Sequence, residues 1–230
     1  MTALKSGKGR VPPRQTVAVI SSLAELGRAA RLRRLPQLFE LRLDALYRAA
    51  DELDLHLHRL QRPLILTARH PREGGHHNLS APERRALLLQ WLPRATYVDI
   101  ELRSTHHLQA VVAHTRRSQI RLILSVHNFE RTPSLREVEQ FGARALAASA
   151  DVIKLVSRVD TQAELERLIS GFEVLNRILP TSAMGIGALG GISRVELLAR
   201  GSVLNYAHLG TARTDGQLSL ADLLRLTSAR

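Results

Sequence analysis

The chain reads as one α/β domain, a (β/α)8 barrel, on three observations. Eight short apolar runs recur at 16–20, 38–44, 64–69, 97–102, 121–127, 151–157, 182–187 and 204–209. Longer amphipathic stretches with helix-start signals lie between them. Five of the runs have one apolar parity and one parity of charged or hydrogen-bonding side chains. A strand has that pattern when one face packs on helices and the other lines a site. A length of 230 residues suits one such barrel. The same alternation could also build a doubly wound open sheet, which is the competing architecture.

The elements follow in order. Residues 1–15 are polar and basic, include Pro12 and Pro13, and read as a disordered arm without the apolar centre of a secretory signal. The barrel is expected over 16–230. The helical stretch after the first run, 21–34, is short for its role. In 38–44 the polar parity carries Glu40 and Arg42; in 64–69 it carries Thr67 and Arg69. In 97–102 it carries Asp99 and Glu101, in 121–127 Ser125 and His127, and in 151–157 Lys154. Ser80 with Glu83, and Thr161 with Glu164, form capping boxes, and Pro133-Ser134 with Glu137 marks another helix start. Leu165, Leu168, Ile169 and Phe172 then lie on one helical stripe. Burying so many polar groups inside a barrel costs about 1–3 kcal/mol for each one left unsatisfied. A functional site at the C-terminal ends of the strands is therefore expected. Asp99 and Glu101 are read as partners for buried arginines.

Composition narrows the function. The chain lacks Cys, which suits a reducing cytoplasm and leaves neither disulfides nor thiolate metal sites. No apolar run approaches the roughly 18 residues needed to span a membrane. The net charge is +12, but the basic residues are spread over the whole chain and aromatics make up only 3%. That distribution argues against nucleic acid as partner and for a small anionic substrate. Of 33 Lys and Arg residues only Lys5, Lys8 and Lys154 are lysine. Arginine stays protonated and forms no Schiff base, whereas a desolvated lysine becomes a nucleophilic amine. Lys154, alone within an apolar run, is the candidate nucleophile. His70, His76 and His77 lack the helical spacing of a metal site, so no metal is expected.

Five motifs occur in sequence: Glu40, Arg42 and Asp44; Thr67 and Arg69 with Glu73, Gly74 and Gly75; Ser125, His127, Asn128 and Phe129 with Thr132 and Pro133; Ile153 and Lys154; and Gly191, Ser193 and Arg194. With Gly216 and Gln217 near the end, the set resembles type I 3-dehydroquinate dehydratase, the Schiff-base enzyme of the shikimate pathway to aromatic amino acids. The resemblance implies a (β/α)8 barrel, a homodimer, and catalysis with no cofactor beyond a lysine imine. It implies that Lys154 forms the imine, His127 is the general acid and base, and Glu73 orients His127. It places Glu40, Arg42 and Arg69 around the substrate hydroxyls and reacting centre, and Arg194 and Gln217 on the substrate carboxylate. Lys154 must be neutral to attack, and burial with Arg42 and Arg69 nearby is expected to disfavour the ammonium.

The loop at 211–217 departs from the family. Arg213 stands where the family has Ser or Thr, and Thr214-Asp215 where it has Ala-Pro. One expectation is that Arg213 makes a stronger carboxylate contact and pairs with Asp215 when no substrate is bound. The opposing one is that its bulk blocks closure and weakens activity. The competing functions are another Schiff-base barrel of the class I aldolase kind and a basic nucleic-acid-binding or degenerate barrel.

Overall fold

The structure, a computed structural model, describes residues 11–228. Most of the expected arm lies outside them. Within them, Val11 is already buried, and Gln15 opens the first strand.

The eight expected runs form eight parallel strands: β1 (Gln15–Ile20), β2 (Leu38–Arg42), β3 (Leu64–Thr67), β4 (Tyr97–Glu101), β5 (Arg121–Asn128), β6 (Val152–Arg158), β7 (Thr181–Ile186) and β8 (Leu204–His208). Their order is β7-β6-β5-β4-β3-β2-β1-β8, so each pairs with its neighbours in sequence and β1 pairs with β8. This is the nearly closed barrel of the first expectation, not an open doubly wound sheet. The seam lies between β7 and β8, where no regular ladder forms. Val203 N–H donates to the Thr181 carbonyl (2.9 Å) and Ser182 Oγ to the Leu204 carbonyl (2.5 Å). Ser202 Oγ accepts from Ala183 N–H (3.2 Å), so hydroxyls stand in for part of the missing ladder.

Helices α1 (Leu23–Ala29), α3 (Ala50–Leu57), α4 (Ala81–Trp91), α5 (Gln109–Arg117), α6 (Leu135–Ala147), α7 (Gln162–Asn176), α8 (Gly190–Ala199) and α9 (Leu220–Ser228) follow the strands; α2 (Leu43–Leu46) is a single turn after β2. The capping boxes at Ser80, Ser134 and Thr161 all form and start α4, α6 and α7. Helix α1 is short, as expected, at 7 residues. Run 38–44 stops as strand at Arg42 because Asp44 turns inward to bind the side chain of Arg42 and the backbone of Arg69 and His76.

Strand parity sorts the core into two layers. Phe39, Leu41, Leu66, Val98, Ile100, Leu122, Leu124, Ile153 and Leu155 pack outward against the helices. Val17, Leu38, Ile65, Tyr97, Ile123, Val152 and Leu204 fill the lower interior, with Val11 joining them. Each fully buried aliphatic side chain contributes roughly 1.5–3 kcal/mol, so the plug is stable enough to carry polar groups above it. Those groups are Glu40, Thr67, Asp99, Ser125 and Lys154, each two residues further along its strand than Leu38, Ile65, Tyr97, Ile123 and Val152.

Candidate active site

Lys154 lies in the middle of β6 with its side chain 4% exposed. Its Nζ donates to Asp99 Oδ2 at 2.9 Å, stands 3.7 Å from Glu40 Oε1, and lies 3.9 Å from the centre of the Tyr206 ring. The nearest charges are carboxylates, because β2 and β4 turn Glu40 and Asp99 inward toward β6. Arg69, expected nearby, shares Asp99 Oδ2 with the amine, each at 2.9 Å. Arg42, on the wall of the same cavity, makes a two-pronged pair with Asp44 (2.9 and 2.8 Å) and donates to the Gly74 carbonyl (2.8 Å). Arg42 thus braces the loop that carries Glu73. Asp44 is the other half of that brace. Burial pushes its carboxyl up, but Arg42 and the backbone N–H groups of His76 and Arg69 outweigh it and hold it below the ordinary range.

Arg69 is the hub beneath the amine. It donates to both oxygens of Asp99 (3.1 and 2.9 Å), to Glu101 (3.1 Å) and to Ser125 (2.7 Å). Burial opposes its charge, but Asp99 and Glu101 outweigh it and hold the guanidinium firmly protonated. Burial likewise pushes Asp99 up, and Arg69 and Lys154 overcome it and hold that carboxyl far below its ordinary range. Arg84 of α4 is buried as well, donating to the Ala68 carbonyl and pairing with Glu101. The expectation that Asp99 and Glu101 satisfy buried arginines is met, and Asp99 proves also to be the ion-pair partner of Lys154.

His127, at the end of β5, meets Glu73 twice. Its backbone N–H donates to Glu73 Oε2 (3.0 Å), and its Nδ1 lies 3.0 Å from the same oxygen. An ionised Glu73 accepts from Nδ1–H, which keeps the proton on Nδ1 and leaves Nε2 as the basic nitrogen. Burial, with Arg69 and Lys154 next, holds the imidazole well below its ordinary pKa, so it is neutral near pH 7. Burial and then the charge of Glu101 push Glu73 up to about 7. Gly75 fixes the approach of this loop: a Cβ there would lie 2.3 Å from the Arg69 carbonyl oxygen and 2.8 Å from the His70 carbonyl carbon. Of the three loop histidines, His76 and His77 lie near each other, with ring centres 6.3 Å apart. His70 Nδ1 accepts from Arg72 N–H (3.0 Å), and His77 packs edge-on to Tyr47 at 5.0 Å. Among the described residues no group of three or more His, Cys, Asp or Glu is placed to hold a metal ion.

Arg194, in α8, is 8% exposed, and among the described residues no carboxylate pairs with it. Among those residues its hydrogen bond is from Nη1 to the Tyr206 carbonyl at 3.4 Å, and its buried Nε has no partner. Burial alone pushes its pKa down to about 10. A buried, uncompensated guanidinium is a site that an anion would stabilise. Gln217 and Arg213 stand beside it on the β8–α9 loop, and Gly216 sets that loop down on α8. Gly216 has φ of +77°, and a Cβ there would lie 2.4 Å from Gly191 N. Glu40, Arg42, Arg69, Glu73, His127, Lys154, Arg194, Arg213 and Gln217 all line one cavity of about 430 Å³ at the C-terminal mouth of the barrel. The structure therefore brings every residue predicted for the site into one place.

The family model for type I 3-dehydroquinase matches residues 17–230. The chain belongs to this family. It is 31% identical over 187 residues to the 3-dehydroquinate dehydratase of Pyrococcus abyssi, covering 81% of this chain and 84% of the relative. It is 33% identical over 167 residues to that of Aquifex aeolicus, covering 70% and 71%. In fold it is similar to the crystal structure of 3-dehydroquinate dehydratase from Geobacillus kaustophilus, with a TM-score of 0.84, 22% identity and 96% of each chain covered.

Against this type I 3-dehydroquinase background, sequence reasoning missed two groups. Tyr206, whose ring faces the amine, sits in an apolar run with nothing but its hydroxyl to distinguish it. That hydroxyl is buried without a hydrogen-bond partner. Asp44 appeared in the first motif without a role; its spacing of two from Arg42 was the available signal. Arg213 corrects the other expectation. It does not pair with Asp215 but reaches Glu25 in α1, at 3.3 Å.

Proposed function

We propose that this chain removes water from 3-dehydroquinate to give 3-dehydroshikimate, through an imine on Lys154 and without a cofactor, as a step toward aromatic amino acids. One observation carries the reading. A buried amine, an imidazole backed by a carboxyl, and a buried guanidinium without a counter-ion share one cavity. The first suits a ketone, the second an adjacent C–H, the third a carboxylate.

Arg194 would grip the substrate carboxylate with parallel hydrogen bonds and so fix the ring. The Lys154 ammonium, paired with Asp99, gives up a proton and its nitrogen attacks the C3 carbonyl; the carbonyl oxygen leaves as water with that proton and one more from the nitrogen, giving a protonated imine. That imine draws electrons from the C2–H bond far better than the ketone does. His127 takes the C2 proton, and the electron pair moves into an enamine. The enamine pair then expels the C1 hydroxyl, to which His127 returns a proton, so a second water leaves. Water re-adds to the imine carbon, frees Lys154 and leaves the conjugated enone. One water is lost overall. Neutral His127 is matched to this exchange because a base must be unprotonated before it acts. Asp99 and Glu40 flank the amine and would stabilise the cationic imine.

The test is borohydride reduction in the presence of 3-dehydroquinate, followed by mass spectrometry. The expected result is a covalent adduct on the peptide containing Lys154, absent in Lys154→Ala, with enone absorbance rising only in the unreduced wild type. An adduct elsewhere, or turnover by Lys154→Ala, would refute the mechanism. We extend the same reading to a cytoplasmic homodimer, supported by the lack of cysteine and by the family likeness; sedimentation checks its assembly. Among the described residues no helix is long and apolar enough to cross a membrane.

A further inference from the structure

The loop between β8 and α9 is tied to the β1–α1 corner by a residue so far without a role. Arg213 Nη2 lies 3.3 and 3.4 Å from the two carboxylate oxygens of Glu25, 188 positions away in sequence. Glu25 is not a surface charge free to swing. It is 6% exposed and lies in the first turn of α1. The Ser21 N–H and Ser21 Oγ both donate to its Oε2, at 2.8 and 2.7 Å. Burial pushes the Glu25 carboxyl up, but Ser21 and Arg213 outweigh it, so it stays ionised at neutral pH. The loop meets α1 a second time at Gly210, where any Cβ would collide with the Arg28 guanidinium.

The tie extends into the cavity. Arg213 N–H donates to Gln217 Oε1 at 2.8 Å, so the placing of one fixes the other. Arg213, Thr214 and Gln217 line the cavity together with Arg194. Only Nη2 of Arg213 contacts Glu25; its Nε and Nη1 have no hydrogen-bond partner among the described residues.

We propose that Glu25 is a positioning residue for substrate binding: from the β1–α1 corner it holds Arg213, and through it Gln217, over the cavity before substrate arrives, so that a second guanidinium beside Arg194 meets the carboxylate of a small hydroxylated acid. The identity of that acid rests on the dehydratase reading. The holding of the loop does not. A preformed clamp removes the ordering cost that a free loop would impose on binding. It also gives this chain a cationic contact where the family has a hydroxyl.

Two measurements test it, on wild type and on Glu25→Gln, which can still accept from Ser21 but carries no charge. The first is limited trypsin digestion, with the Arg213–Thr214 cleavage followed by mass spectrometry. Cleavage of a held loop tracks how often it opens. The charge lost is that of a half-exposed ion pair, so the expected gain is about fivefold. An unchanged rate overturns the proposal. The second is steady-state kinetics with 3-dehydroquinate. KM should rise by about fivefold while kcat stays within about twofold. The rise should vanish when Arg213→Ser is already present, because Glu25 acts through Arg213. A KM rise of equal size in both backgrounds, or a gain in kcat/KM for Arg213→Ser alone, overturns the proposal. A merely structural Glu25 would lower Tm and leave the KM of folded enzyme unmoved. Should Glu25→Gln fail to fold, Arg213→Lys replaces it, leaving α1 intact and still presenting a trypsin site; the same directions are expected. If wild type neither turns over 3-dehydroquinate nor forms the Lys154 adduct, the dehydratase reading falls by itself, and the trypsin comparison still decides whether Glu25 holds the loop.

Discussion

Glu73 and His127 form a pH-sensitive pair at the site. Burial and the nearby Glu101 raise the Glu73 carboxyl from 4.5 to about 7. A carboxyl raised in the folded state holds its proton more tightly folded than unfolded. Its stabilising contribution is therefore complete below pH 4.5 and is lost as pH rises through 7. The span corresponds to about 3 kcal/mol. Glu73→Gln should lose about that much less stability than wild type between pH 4 and pH 8. Urea denaturation at a series of pH values reads it directly, and parallel curves for the two proteins would contradict the buried-carboxyl account. A catalytic consequence follows from the same residue. Glutamine can accept from His127 Nδ1–H but does not titrate, so a bend in kcat/KM near pH 7 in wild type should disappear in the variant.

Among the elements, the turn after β3 does most to place the chemistry. It must carry Glu73 to the end of β5 while folding back on its own strand. Arg42 holds it from below at the Gly74 carbonyl, and Asp44 holds it through His76 N–H. Gly75 lets it pass within contact of the Arg69 and His70 backbone. In Gly75→Ala the colliding atoms are main chain, so the turn must move. A displacement of about 1 Å at a catalytic group costs on the order of a hundredfold in rate. The expected outcome is a fall in kcat of that size with unchanged far-UV circular dichroism and a modest drop in Tm. Full activity in Gly75→Ala would show that the turn does not set the Glu73–His127 contact. Most of the elements themselves were legible in sequence. Strand parity separated Phe39 and Leu41 from Glu40, and the Ser-Glu and Thr-Glu boxes marked the starts of α4, α6 and α7. The strand ends were less so. Leu43 and Asp44 look like a continuation of β2, and only the tertiary pull of Arg42, Arg69 and His76 on the Asp44 carboxylate ends the strand early.

For the whole molecule, the barrel explains why the site could be read residue by residue while its electrostatics could not. Parity says which side chains point inward, and so assembled Lys154, His127, Arg69 and Glu40 correctly. It does not say which inward charges touch across the barrel. Arg42 turned to Asp44 because β2 ends between them, and Lys154 met Asp99 because of the stagger between β4 and β6. Arg213 went to Glu25 for a similar reason: β1 and β8 are adjacent only once the sheet has curled round. That closure is uneven. All eight strands are joined by continuous main-chain ladders running from β7 back to β1 and on to β8, whereas β7 meets β8 mainly through hydroxyls and one carbonyl contact. A stave held by fewer rungs opens at lower free energy than its neighbours. Deuterium should reach the amides of Ala183 and its neighbours along this joint well before those of Leu124 and Ile153, and uniform protection around the ring would argue otherwise. Arg194 and Tyr206 stand on either side of that joint, so the wall proposed to receive an acid is also the one expected to open first, and an acid bridging it would slow its isotope uptake.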